Sequence, residues 1–355
     1  MTSSVGRKLR ISIFGGSHSE EIGVVIDGFP KGISIDIEKL RAFLARRAPG
    51  QGAHTTARVE ADIPIFKSGI TDGKTNGETI RAVIKNTNVR SGDYENVRDI
   101  PRPGHADFTA YMKYGKDCDM RGGGHFSGRL TAPLCIAGGI CIQYLETFGI
   151  KIGAHALSIG GQSDTRFDEI TPELSAVLYS EPIAVLDKSA GERMMEEILA
   201  AKGELDSVGG VVECAATGVP AGLGDPMFSG VENVISQIVF GIPAVKGIEF
   251  GRGFDVANIR GSENNDEFCI EDGKVRTRTN NHGGSLGGIS TGLPIIFRAA
   301  IKPTPSIARP QMSVSLSEMC EKELRIVGRH DPCIVPRAVP CMEAALAVAL
   351  CELMI

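Results

Sequence analysis

Glycine constrains this chain more than any other residue. Forty-four of the 355 residues are glycine, about one in eight against a typical usage of about 7 %. They show no three-residue period, which excludes a collagen-type helix. They gather instead in short runs beside Ser, His, Arg and Lys. The chain must therefore turn often and bring its backbone close to whatever those side chains bind. Hydrophobic residues at 42 % and charged residues at 23 % are ordinary for a globular core. No low-complexity linker divides the chain, so residues 1–355 read as one compact α/β (α+β) domain.

A net charge of -5 argues against bulk binding to nucleic acid or an anionic membrane, while leaving room for a local basic pocket. The nine cysteines are odd in number, scattered and without a CxxC pair. They read as buried thiols of a cytoplasmic protein. The N-terminus has no apolar run of signal-peptide length. The most apolar stretch, 130–145, is too short to span a bilayer and contains Pro133 and Gly138-Gly139, so it reads as a core helix.

Along the chain, 9–14 and 23–27 read as strands. Asp36 caps a helix carrying Leu40, Phe43 and Leu44, which ends at 46–50. Further helices are expected over 77–86, 127–147, 231–240 and 337–354, and a strand over 208–217. Ser189 with Glu192 predicts a capping box for a helix ending near Gly203. One internal echo stands out: GFPKG at 28–32 and GVPAG at 218–222 each follow a strand and precede a helix. A duplicated unit explains it, and so does the common turn chemistry of Gly and Pro.

Four clusters carry candidate chemistry. GGSHS at 15–19 follows a strand. RPGHAD at 102–107 sets Asp107 two residues from His105, where it could bias the imidazole tautomer. RGGGHFSGR at 121–129 runs toward a helix start, a ready anion site with Arg121 and Arg129 adding charge. The last third holds NHGGSLGG at 281–288, KPTPS at 302–306, GRHDP at 328–332 and Arg337. There Lys302 and Arg329 could hold a phosphate that Thr304 and Ser306 hydrogen-bond. No HxH or HExxH pattern marks a metal, and no GxSxG marks a hydrolase elbow. The residues converge on a pocket for phosphorylated or carboxylated small molecules, with loop histidines moving protons. They do not name the reaction.

In this order the clusters resemble the chorismate synthase family over essentially the whole chain. FGGSHS at 14–19, RRAPG at 46–50, RPGHAD, RGGGHFSGRLT at 121–131, PAVKG at 243–247, the 281–288 and 302–306 loops, and RHDPC at 329–333 carry the likeness. The resemblance implies a β-α-β sandwich with internal pseudo-duplication, usually a homotetramer. It implies a 1,4-anti elimination of phosphate from 5-enolpyruvylshikimate 3-phosphate to chorismate, requiring reduced FMN. Whether an NADP-type nicotinamide or an external partner reduces the flavin stays open, with an external reductant expected. By motif, His18 would protonate the leaving phosphate, His105 would act on the reduced flavin near N1, and Asp331 would assist flavin N5 in relaying the C6 proton. Ser17 and Ser127 would hold hydrogen bonds at the centre. Arg46, Arg47, Arg129 and Arg337 would clamp substrate anions. His125, Phe126, Ser127, Pro243, Ala244, Gly287, Lys302, Pro303, Thr304, Pro305, Ser306 and Arg329 would line the FMN site.

The chain departs from the family pattern in places. FGESHG has Gly16 for its Glu and Ser19 for its last Gly. RRRPG has Ala48, a further family Arg falls at Ala53, and KPTSS has Pro305. Around the flavin, His125 stands for an Arg and Phe126 for a Ser. Two alternatives stay open: a flavin-dependent enzyme on another phosphorylated acid, and a catalytically inactive oligomeric binding homologue.

Overall fold

The computed structural model describes residues 1–50, 52, 60, 62–86, 99–168, 170–326 and 330–355. Two five-stranded antiparallel sheets enclose a layer of helices. The first has the strand order Thr2–Val5, Arg10–Phe14, Glu21–Asp27, Ile80–Lys85, Ile65–Ser68. The second runs Val245–Phe250, Ile295–Ile301, Gly210–Thr217, Lys151–Ile159, Gln162–Ser163. Helix Thr131–Glu146 packs on the first sheet, the C-terminal helix Val335–Met354 packs on the second, and the two helices pack on each other. Helices Ile37–Arg47 and Val231–Val239 flank that pair. The main apolar core draws on both sheets and all four helices. The expected β-α-β sandwich is the observed architecture.

The two central helices are apolar nearly all round because they are covered on nearly every side. They run parallel, with Cys135 beside Cys341 and Gly138 against Ala344. A Cβ at Gly138 would lie 2.2 Å from the Ala344 Cβ, and one at Gly139 would lie 2.5 Å from Leu40 Cδ1. Each glycine costs about 1 kcal/mol of helix propensity. The close approach of two buried helices, and the dispersion contacts it creates, offset that cost. Pro133 lies in the first turn, where its missing N–H removes no intrahelical bond.

The sequence echo is a structural repeat. Gly28 and Gly218 both take left-handed backbone, at φ 82° and 76°, as each chain leaves a central strand. Gly32 donates its N–H to Thr75 O, as Gly222 does to Ser290 O. The Thr75 hydroxyl donates to Pro30 O and accepts from Ile33 N–H. The Ser290 hydroxyl donates to Pro220 O and accepts from Leu223 N–H. Turn chemistry alone does not reproduce a bond network of this kind in two places. Each repeat then enters a helix that packs against the central pair.

Two local expectations fail. Residues 80–85, placed in a helix by the sequence reading, form a strand between Glu21–Asp27 and Ile65–Ser68. β-Branched Ile80, Val83 and Ile84 are buried there, and pairing on both edges decides the state. The helix over 188–203 is capped by Asp187, which accepts from Ser189 N–H at 2.9 Å, rather than by a Ser189–Glu192 box. Asp36 does cap Ile37–Arg47, accepting from Glu38 and Lys39 N–H.

Gly138→Ala is expected to lower stability by about 1–3 kcal/mol, the usual range for overpacking a filled core. Gly203→Ala, at a helix end with open space around it, is expected to be neutral or stabilising. Urea unfolding of the two variants beside the wild type checks both.

Candidate active site

A cavity of about 960 Å³ opens where the N-terminal ends of the two central helices meet the loops of the first sheet. The parallel packing of the helices brings both N-termini to this place. Thr131 and Leu134 line it from one helix, Arg337 and Ala338 from the other. Two positive helix ends therefore face the same space.

The cavity floor is built on a carboxylate that nothing in the sequence marks. Asp62, 2 % exposed, bonds Arg47 Nη1 through one oxygen and Arg129 Nη1 through the other. Arg47 is held further by Thr131 Oγ1 at 3.0 Å and Gly128 O at 3.2 Å. Arg129 Nε lies 2.8 Å from Glu60 Oε2 and 3.1 Å from Asn86 Oδ1. Arg337 donates from Nε to Arg47 O at 2.9 Å and pairs through Nη1 with Asp331. Burial pushes the Asp62 carboxyl up, but the charges of Arg47 and Arg129 outweigh it and hold the group below the usual carboxylate range. Burial pushes Arg129 and Arg337 down from the usual guanidinium value.

The side wall joins motifs about two hundred residues apart. Arg102 grips Asp107 with Nε and Nη2, each at 2.7 Å, and reaches Ser306 Oγ at 3.1 Å. Lys302 Nζ donates to Gly104 O. Asp107 Oδ1 sits 2.8 Å from His105 Nδ1. Burial raises the Asp107 carboxyl, yet hydrogen bonds from Arg102 and His105 bring it well below normal, so it stays ionised. A carboxylate only accepts, so the contact with Asp107 favours the tautomer with the proton on Nδ1, which Arg102 Nη2 also approaches at 3.1 Å. Burial and the charge of Lys246 push Lys302 down. Ala244, on the same wall, holds a left-handed φ of 75°, and its carbonyl accepts from Lys302 N–H. Strain in a residue with a Cβ collects at sites that need a fixed backbone.

The triglycine run does something other than the sequence reading expects. It does not open the central helix, which begins at Thr131 after a short turn capped by Ser127. Gly122, Gly123 and Gly124 all have positive φ, and they pack against the GGSHS turn. Ser17 N–H donates to Gly124 O at 2.9 Å. A Cβ at Gly122 would lie 2.7 Å from Ser17 Oγ and 2.8 Å from His18 Nε2, and one at Gly123 would lie 3.2 Å from His105 Nε2. The imidazoles of His18 and His105 thus stand on one loop, against adjacent glycines. His105 lines the cavity; His18 does not, and lies against Gly122, which does. Arg121 adds nothing here, because it is exposed and paired with Asp119.

Most of the named residues meet in this space. Ser17, Arg47, His105, His125, Phe126, Ser127, Arg129, Pro243, Ala244, Lys302, Thr304, Pro305, Ser306, Asp331 and Arg337 all line it. His125 bridges Gly15 O and Ser3 Oγ. Besides His18, three described residues fall elsewhere. Arg46 follows the helix round, about 100° from Arg47, and binds Glu343 through both Nη atoms beneath the Tyr179 ring. Gly287 is the first residue of a tight two-residue turn between Ser285–Leu286 and Ile289–Ser290, where φ of 62° and 87° are required. Pro303 faces outward from its loop. Arg329 and Ala53 lie outside the described residues. Sequence reasoning missed Asp62, Glu60, Asn86 and the clamp role of Arg102. Only the need of several buried arginines for carboxylate partners could have pointed to the first two.

A profile of the chorismate synthase family matches residues 9–355. The chain belongs to the chorismate synthase family. It is 50 % identical to the chorismate synthase of Pyrococcus abyssi, covering 98 % of this chain and 96 % of that one. It is 48 % identical to that of Lancefieldella parvula, covering 99 % and 96 %. A crystal structure of chorismate synthase superposes with a TM-score of 0.78 at 28 % identity, covering 99 % of this chain and 92 % of that one. The protein is accordingly an enzyme, a lyase of the shikimate pathway that removes phosphate in making chorismate.

Two predictions follow from the geometry. Asp62→Asn leaves two buried guanidiniums short of a counter-charge and is expected to cost about 3–5 kcal/mol at pH 7. Because the native Asp62 value is depressed, its contribution is complete above about pH 4. It is lost as pH falls through the native value, so the gap between variant and wild type closes only in acid. Urea unfolding from pH 7 down to pH 3 measures it. Gly122→Ala is expected to leave the circular dichroism unchanged while displacing Ser17 and His18. Turnover should fall by about 10²-fold, the scale of an ångström-sized misplacement.

Proposed function

We propose that this cavity is where phosphate is eliminated from 5-enolpyruvylshikimate 3-phosphate, with reduced FMN bound beside the substrate. The observation that carries the reading is a set of buried polar atoms with no partner among the described residues. Ser17 Oγ, Arg129 Nη2 and Thr304 Oγ1 are all in this state, and all three residues line the one cavity. Unpaired buried donors are costly unless a ligand completes them. Among the described residues, six cationic side chains line the space against two carboxylates, with Asp62 and Asp107 behind. A substrate with a phosphate and two carboxylates matches that imbalance in a protein of net charge -5.

Arg47, Arg129 and Arg337 receive the substrate anions on a floor already fixed by Asp62 and Asp331. His18 and Ser17 stand together at Gly122, where a proton passes to the departing phosphate oxygen. His105, with Nδ1 held by Asp107, is placed in the cavity wall, where its Nε2 would exchange a proton with a bound reduced flavin. Asp331, oriented by Arg337, serves in the relay of the proton lost from C6. His125, Phe126, Ser127, Pro243, Ala244 and the 302–306 loop would hold the flavin. When bound, reduced FMN supplies electron density as the carbon–oxygen bond breaks and recovers it as the C6 hydrogen leaves.

Residues 1–355 act as one domain, a reading supported by the core shared between both repeats. A homotetramer is supported by exposed Phe228, Phe254, Phe268, Ile270 and Val275. A cytoplasmic setting is supported by nine free thiols. An external flavin reductant is supported by His125, which stands in place of a family arginine with both ring nitrogens engaged.

Anaerobic incubation with the substrate and pre-reduced FMN should produce chorismate absorbance. His18→Ala and His105→Ala should each lower turnover by about 10²-fold or more with unchanged melting curves. Wild-type rates in both variants would remove the roles assigned here.

A further inference from the structure

Cys341 lies on the cavity floor, and among the described residues it is the cysteine that lines this space. Its Sγ accepts from the Cys135 thiol on the neighbouring helix at 3.9 Å, and its own thiol donates to Arg337 O at 3.3 Å. We propose that Cys341 and Cys135 form a peroxide-oxidisable dithiol at the base of the active site, with Cys341 attacking and Cys135 closing the disulfide.

The surroundings divide the two roles. The hydrogen bond from Cys135 lowers the Cys341 thiol most. Burial opposes it, and the guanidinium charges of Arg47 and Arg337 and the Thr131 hydroxyl add to the lowering, bringing it to about 7. Cys135 is pushed up by burial and stays a thiol, the form that hydrogen-bonds its neighbour. A thiol that borders a cavity and whose ionisation nearby cations favour is the reactive kind of cysteine; a thiol sealed in apolar surroundings is inert. The molecule carries its own control. Cys141 and Cys351 meet farther along the same two helices, away from the cavity, with Cys351 pushed well up by burial.

The chemistry needs only hydrogen peroxide. The Cys341 thiol gives up its proton and its sulfur attacks one peroxide oxygen; the O–O bond breaks, and the leaving hydroxide takes that proton to become water as the sulfenic acid forms. The Cys135 sulfur then attacks the sulfenic sulfur. The S–O bond breaks, and the Cys135 proton leaves with the oxygen as water. Two thiols are oxidised and one peroxide is reduced to two waters. The sulfurs approach from 3.9 Å to about 2.05 Å, a movement that two side chains on parallel helices can share. The product leaves no ionisable thiol beside Arg47 and Arg337 and pins the two central helices at the cavity floor. A dithiol reductant reverses it.

The test uses the full chain. The protein is treated with hydrogen peroxide, free thiols are capped with N-ethylmaleimide under denaturing conditions, and peptides are mapped by mass spectrometry. The expected result is a Cys135–Cys341 cross-link that dithiothreitol removes, with Cys141 and Cys351 still capped. Absence of that link, or equal oxidation of both pairs, overturns the proposal. In Cys135→Ser, peroxide and dimedone together should label Cys341. A variant that folds like the wild type and leaves Cys341 unlabelled also overturns it.

Discussion

The Asp62 carboxylate, buried between Arg47 and Arg129, is the interaction on which the candidate active site depends. Three parts of the chain meet there: the last turn of the first helix, the loop segment carrying Asp62, and the turn that leads into Thr131–Glu146. Arg337 extends the network to the C-terminal helix through the Arg47 carbonyl. Taking these charges out of water is expensive, and replacing such groups with apolar side chains often stabilises a protein. Their retention fits a binding role. Asp62 fixes two guanidiniums in place, and Arg129 Nη2 keeps an unmet donor in the cavity.

The duplicated architecture explains where the cavity sits. Each repeat contributes a sheet and a helix to the central pair, and the pair runs parallel with its N-termini together. A cationic end is thus built into the backbone before any side chain is chosen. Function then breaks the symmetry. The GGSHS turn, the triglycine loop and the Arg102–Asp107 clamp surround one end of this layer. In the second repeat, the 287–288 glycines close a hairpin against Asp225 and Gly230.

Much of this was legible in the sequence, for definite reasons. Residues 130–145 announced a core helix because their apolar pattern has no polar face. The echo at 28 and 218 was visible because each turn needs glycine at the same points. Loop clusters rich in Gly, His and Arg pointed to the cavity they line because close backbone approach and charge leave few other residue choices. Other features had no local signal. Asp62 lies 15 and 67 residues from its partners. Residues 80–85 become a strand through pairing with distant segments rather than through propensity. Arg46 and Arg47 look equivalent in a motif, yet helical geometry sends them to different neighbours. The meeting of Cys135 and Cys341 depends on helix register across two repeats.

The central claim is that distant glycine-rich loops close one cationic cavity around both substrate and flavin. A crystal structure of the protein with 5-enolpyruvylshikimate 3-phosphate and FMN tests it most directly. The account predicts substrate anions on Arg47, Arg129 and Arg337, and flavin against residues 125–127, 243–244 and 302–306. Either ligand seated outside this cavity, with the arginine floor left bare, would contradict it.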